Sequence, residues 1–196
     1  MGNYSCYLRF SFDGVIFIIG FYMKIGSIHE NQNIEKRIAI TPEIVKKYTS
    51  LGFEICLIEN YGFHLGIKDE QYKELGVNIC KNDNEVLNSS DIIVQLGILS
   101  DDKISIIKEN QILIGVLDPY NNKGKLENLA KKKVNLFSLE LLPRITRAQS
   151  MDILSSQANL AGYKAVIESF ANFEKAIPMM MTAAGTIPAA KVLVVG

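Results

Sequence analysis

The stretch LLPRITRAQSMDILSSQ at 141–157 gathers two arginines, a glutamine, an aspartate and several hydroxyls within a few turns of chain. Arg144 and Arg147 carry planar, fork-shaped donors that suit a phosphate or a carboxamide oxygen. Gln149 offers both a donor and an acceptor, which is what a ligand amide requires. Asp152 can accept from ribose hydroxyls or orient an arginine, and Ser155, three residues on, shares its helical face. The same residues also admit a structural role, in which Ser150 caps a helix, Asp152 complements its dipole and the arginines are solvated. Residue type and spacing leave the two roles open.

Other chemistries find less support. Cys6, Cys56 and Cys80 form an odd set without CxxC spacing, and His29 and His64 lie far apart, so neither a disulfide scaffold nor a metal site is expected. Both histidines are read as serving loops. Lys+Arg and Asp+Glu balance at 21 each, which removes the basic field that nucleic-acid binding or an anionic membrane surface would ask for. With 196 residues, 48% of them hydrophobic, the chain has the length for one domain plus a remnant and the composition to bury a core.

The elements that must position the 141–157 loop follow a regular pattern from Lys24 onward. Short runs rich in Ile, Val and Leu alternate with amphipathic stretches, each change marked by a turn or cap residue. Strands are expected at 24–28, 53–59, 77–79, 91–96, 111–117 and 134–140. Thr41 and Pro42 open a helix that Gly52 closes, a short helix near 69–75 ends at Gly76, and Asn82 or Asp83 caps another. Further helices are expected over DDKISIIKEN and KGKLENLAKKK. Strands that are apolar almost throughout are buried on both faces, so the fold class is α/β with a mostly parallel sheet and flanking helices. Ligands in such sheets bind beyond the carboxyl ends of the strands, which singles out the loops after Ile28, Glu59, Leu96, Leu117 and Glu140.

Residues 1–22 stand apart from this repeat. The apolar run from Val15 to Met23 is about half of what a bilayer-spanning helix needs. Arg9 and Asp13 do not make a signal peptide, and the stretch reads as an atypical extension, with Met23 an alternative start. At the other end, a helix rich in small residues follows the loop, then the apolar triple Met179–Met181, then KVLVV, expected as a strand.

Three stretches together carry a resemblance: EKRIAITPE at 35–43, PRITRAQSMDILSSQANLAGYKAVIE at 143–168 and MTAAGTIPAAKVLVVG at 181–196. From Lys24 on, the chain resembles the N-terminal, NAD(H)-binding component of proton-translocating NAD(P) transhydrogenase, its alpha subunit. The resemblance implies a flavodoxin- or Rossmann-like N-terminal domain over 23–150, a linking helix over 151–178, and the opening of a dinucleotide-binding domain over 179–196. It implies that Arg144, Gln149, Asp152 and Ser155 contact the nicotinamide end of NAD(H), with Arg147 adjacent. It also implies direct hydride transfer to NADP+ held on a partner component, with NADP(H)-binding and membrane components as partners. A homodimer, and a cytoplasmic place at the inner membrane face through those partners, belong to the same implication.

Against that pattern, the chain is expected to stop before the glycine-rich turn that receives the pyrophosphate, and so to bind NAD(H) weakly or not at all by itself. An inactive or split fragment is therefore the alternative reading. Alanine dehydrogenase resembles the opening too, with Arg37 at its carboxylate-binding arginine. It also uses a lysine and a histidine where this chain has the 95–97 segment and Asp118-Pro119. Neither catalytic group is present, which disfavours imino-acid reduction.

Overall fold

The computed structural model describes residues 7–12, 15–20 and 23–195. Strands β1 (Tyr7–Phe12) and β2 (Val15–Gly20) pair antiparallel, with Tyr7 opposite Gly20 and Phe12 opposite Val15. By contact density the chain divides into two compact units, Met1–Pro143 and Arg144–Gly196.

The first unit is built on six strands: β3 (Lys24–Ser27), β4 (Glu54–Ile58), β5 (Asn78–Cys80), β6 (Ile92–Val94), β7 (Ile112–Gly115) and β8 (Asn135–Ser138). They form one sheet in the order β5-β4-β3-β6-β7-β8, and every pairing is parallel. Counted along the sheet this is the doubly wound order 3-2-1-4-5-6, and the winding reverses between β3 and β6. The α/β fold class expected from the alternation is the one observed. Most of the strands are one to three residues shorter than the apolar runs that announce them. Past the strand ends the N–H groups of Glu59, Gln95 and Val116 still donate to the carbonyls of Cys80, Ile114 and Leu96, so the chain stays paired toward the carboxyl edge.

Helices α1 (Pro42–Ser50), α2 (Asp69–Lys73), α3 (Asp83–Ser89), α4 (Asp101–Ile106) and α5 (Lys123–Lys131) fill the connections. Pro42 begins α1 as expected, but the Thr41 hydroxyl makes no cap hydrogen bond, so it is the proline ring that pre-sets this start. Asn82 does cap α3, its Oδ1 accepting from the Glu85 N–H at 2.8 Å. Gly52 closes α1 with φ +89, a left-handed conformation that strains any residue with a Cβ. The core runs along the sheet, with Ile40, Val45, Leu57, Tyr61, Tyr72, Leu87, Ile93, Leu113, Leu117 and Leu129 buried.

The second unit has a 3-10 turn at Thr146–Met151, the helix α6 (Ile153–Ala171), and a small antiparallel pair, β9 (Met180–Thr182) with β10 (Gly185–Ile187). Residues 191–195 form no strand, which corrects the expectation for KVLVV: among the described residues the segment joins no ladder, and apolar composition without ladder hydrogen bonds does not make a strand. Among the described residues of this unit only Ala148 is buried. No helix among the described residues is long and apolar enough to cross a membrane.

Candidate functional site

At the reversal between β3 and β6, two polar residues sit inside otherwise apolar strand runs. Ser27 ends β3, and Gln95 directly follows β6; both are buried. The Tyr61 hydroxyl accepts from the backbone N–H groups of Ala39 and Ile40 at 3.1 and 3.3 Å. Its own proton is therefore directed to Ser27 Oγ, 2.7 Å away. Ser27 in turn donates to Gln95 Oε1 at 2.7 Å, which also accepts from the Ile28 N–H at 3.0 Å. Gln95 Nε2 closes the set by donating to the Ile28 carbonyl at 3.3 Å. Burial pushes the Tyr61 phenol above its ordinary value, so it stays a proton donor here. This network was not singled out from the sequence. Its signal was a polar residue near the end of two apolar runs, IGSI and IIVQL.

Around it, side chains tie the carboxyl-edge loops together. His29 Nε2 donates to the Glu59 carbonyl at 3.0 Å. His64 Nε2 donates to the Lys36 carbonyl at 2.7 Å, which leaves Nδ1 to accept from Gln32 Nε2 at 3.3 Å. Both histidines thus serve loops. Arg37 is bound by Glu35, Nε to Oε1 at 2.8 Å with a second contact to Oε2. After β7, the Asp118 N–H, in a left-handed turn at φ +46, donates to Glu140 Oε1 at 2.6 Å.

Glu30 fastens the β3 loop to the β6 loop by accepting from the Leu96 N–H at 2.6 Å. Burial is the largest influence on its carboxyl and raises its pKa, outweighing the hydrogen bonds that favour the charged form. The stability this group contributes is complete below the unfolded-state value of about 4.3 and is lost as pH rises through the higher folded value. Glu30→Gln keeps an acceptor oxygen and carries no charge, so it should gain stability over the parent as pH rises from about 4 to 7. Urea unfolding across that range checks this; a stability difference independent of pH would contradict it.

In the second unit, Arg144, Gln149, Asp152 and Ser155 come together with Ile145 and Thr146 around an open cavity of about 470 Å³. The 3-10 turn at Thr146–Met151 presents Gln149, while the break at Asp152 starts α6. Asp152, not Ser150, caps that helix: its Oδ1 accepts from the Ser155 N–H at 3.0 Å and its Oδ2 from Ser155 Oγ at 2.6 Å. The Ser155 hydroxyl beside it, then the Ser155 N–H, hold its carboxyl below the usual carboxylate range, with Arg144 adding to the effect. Arg147 is exposed and is not among the residues lining the cavity.

Comparison with known proteins bears on what these features belong to. Residues 26–161 match the family model Alanine dehydrogenase/PNT, N-terminal domain. A curated relative, the first portion of the NAD(P) transhydrogenase alpha subunit of Rhodospirillum rubrum, is 44% identical over 179 residues, covering 89% of this chain and 47% of the relative. The chain therefore spans about half the length of that relative. The solved structure of a transhydrogenase from Sinorhizobium meliloti superposes with a TM-score of 0.78 at 41% identity, over 85% of this chain and 50% of that one. An alanine dehydrogenase of Methanococcus maripaludis is 27% identical over 140 residues, covering 71% of this chain and 37% of the relative. At the positions where the alanine dehydrogenase resemblance calls for a lysine and a histidine, Gln95 is committed to the buried network and Asp118 accepts from Asn121 Nδ2 at 2.8 Å. Matched over most of its length, the chain belongs to the alanine dehydrogenase/PNT N-terminal domain family.

Proposed function

We propose that the chain is the N-terminal portion of the NAD(H)-binding component of a proton-translocating transhydrogenase. In this reading Arg144, Gln149, Asp152 and Ser155 contact NAD(H), Arg147 stands beside them, and residues 179–196 open the dinucleotide-binding domain. The observation that carries the reading is the cavity of about 470 Å³ with those four residues in its lining.

The donor set fits the group. An exposed guanidinium at Arg144 suits a phosphate or carbonyl oxygen, the Gln149 amide complements a carboxamide, and the charged Asp152 carboxylate suits ribose hydroxyls. When bound, NAD(H) supplies the hydride that passes to NADP+ on a partner component. The chain's residues position and orient; no general acid is needed at that step. NADP(H)-binding and membrane components are the partners in this reading. Assembly as a homodimer, and attachment to the cytoplasmic face of the inner membrane through the partners, go with it.

A second reading, in which the chain does not hold the cofactor unaided, is favoured by the exposure of nearly all of the second unit. NADH fluorescence separates the two. Under the main reading, titration of the chain joined to the remainder of the Rhodospirillum rubrum relative should give micromolar binding, weakened at least tenfold by Gln149→Ala. The same weak binding with and without Gln149 would defeat the site. Micromolar binding by the chain alone would defeat the second reading.

A further inference from the structure

Cys56 and Cys80 lack a metal-binding spacing in the sequence, yet the sheet brings them together. β4 and β5 are parallel, with Cys56 abreast of Asn78 and Ile58 abreast of Cys80. Residues abreast and two apart along a strand share a face, so both cysteines lie on one side, joined along the diagonal. Each is buried, at 5% and 6% exposure. Helix α3 covers that side, where Ser89 Oγ donates to Cys56 Sγ at 3.6 Å. The Cys56 thiol is in turn the hydrogen-bond partner of Cys80. Burial first, and this contact second, push the Cys80 thiol up to about 12.

The register keeps two thiols in contact without favouring a disulfide. Two residues of rise and one strand spacing put the Cα atoms about 8 Å apart. A disulfide spans at most about 7 Å unless the backbone moves, and both strands are held by their ladders. An ion between the sulfurs fits this diagonal better. Metal–thiolate bonds of about 2.3 Å separate two sulfurs by about 4.6 Å across a linear centre. Among the described residues no group of three or more His, Cys, Asp or Glu side chains is placed to hold a metal, so tetrahedral ions such as zinc lack ligands here. Charge narrows the class further. A monovalent ion between two thiolates leaves a negative charge in an apolar core, and the charge that reaches Cys80, that of Glu85, has the same sign. A divalent ion leaves none.

We propose that Cys56 and Cys80 form a two-coordinate site for a soft divalent cation, mercuric ion being the simplest. One mercuric ion enters, each thiol releases its proton to solvent as its sulfur–metal bond forms, and the complex is neutral. No oxidant or reductant takes part. The Ser89 hydroxyl then donates to a thiolate, which is a stronger acceptor than the thiol. Entry is from the edge of the sheet: β5 is the outermost strand, and Asn78, abreast of Cys56 on the same side, is exposed.

The test uses the full chain carrying Cys6→Ser, which leaves only these two thiols. One equivalent of mercuric chloride is added, followed by 2-mercaptoethanol in about hundredfold excess, because a monothiol must displace both sulfurs to strip a chelated ion. Native mass spectrometry should show one mercury per chain, with the mass of the metal gained and that of two protons lost, and an unchanged far-ultraviolet circular dichroism spectrum. Cys56→Ala and Cys80→Ala, small apolar replacements in an apolar core, should each retain the metal at least tenfold less well. X-ray absorption on the Cys6→Ser chain reads the site without further substitution: two sulfurs at one distance are expected. One sulfur beside chloride, two mercury ions per chain, equal retention in either alanine variant, or uptake only with loss of the fold would each overturn the proposal. So would a Cys56–Cys80 disulfide formed on mild oxidation with diamide. The outcome is independent of nucleotide binding, since no residue of the Arg144–Ser155 cavity takes part.

Discussion

Gln95→Leu is expected to destabilise the first unit by about 3–5 kcal/mol, a large fraction of what a domain of this size possesses. The substitution is close in volume and creates little cavity. What it removes is the partner of three buried groups at once: the Ile28 N–H, the Ile28 carbonyl and the Ser27 hydroxyl. Each buried polar group left without a partner costs about 1–3 kcal/mol, and the three share one site, so the sum falls short of full additivity. Ser27→Ala should cost less, because only the Tyr61 and Gln95 contacts to one hydroxyl are lost. Urea unfolding followed by far-ultraviolet circular dichroism measures both. A loss below about 1 kcal/mol for Gln95→Leu would mean that water enters and replaces the amide.

The same residue explains why the fold was legible in the sequence and its switch point was not. Alternation of apolar runs with capped amphipathic segments is a local signal, and it located all six parallel strands and the helices between them. Strand order is not local. Nothing in IGSI or IIVQL says that β3 and β6 become neighbours, so the bond from Ser27 to Gln95, 68 residues apart, emerges only when the sheet is assembled. Burial on both faces, expected from the apolar runs, holds for β3 and β4 but not for β6 to β8, because crossover helices cover only one side of that half. Periodicity reports what a face is made of, not what lies on it.

The second unit was legible in a different way. The spacing of Asp152 and Ser155 put both on one helical turn, and they are bonded there. Ser150 lost the capping role to Asp152 because the 3-10 turn continues through Met151, which moves the helix start two residues on. KVLVV carries the composition of a strand but joins no ladder among the described residues. Composition is intrinsic to a segment, whereas a ladder requires a second one.

Asp152→Ala is expected to slow hydride transfer by roughly 10- to 100-fold in the chain joined to the remainder of the Rhodospirillum rubrum relative and supplied with an NADP(H)-binding component. The carboxylate holds Ser155 by two hydrogen bonds, and it stays charged well into the acid range because the Ser155 hydroxyl and N–H favour the ionised form. Removing it frees the first turn of α6 and withdraws a charged acceptor from the cavity. Asp152→Asn separates these effects. Asparagine is as good a helix cap as aspartate but is neutral. If the carboxylate acts on the nucleotide directly, D152N should be nearly as slow as D152A, with α6 intact by circular dichroism. If its part is only to hold Ser155, D152N should recover most of the rate. Single-turnover oxidation of NADH by an NADP+ analogue reads the difference. A rate within twofold of the parent in D152A would remove Asp152 from the site, and the cavity would then have to be reassigned to Arg144 and Gln149 alone.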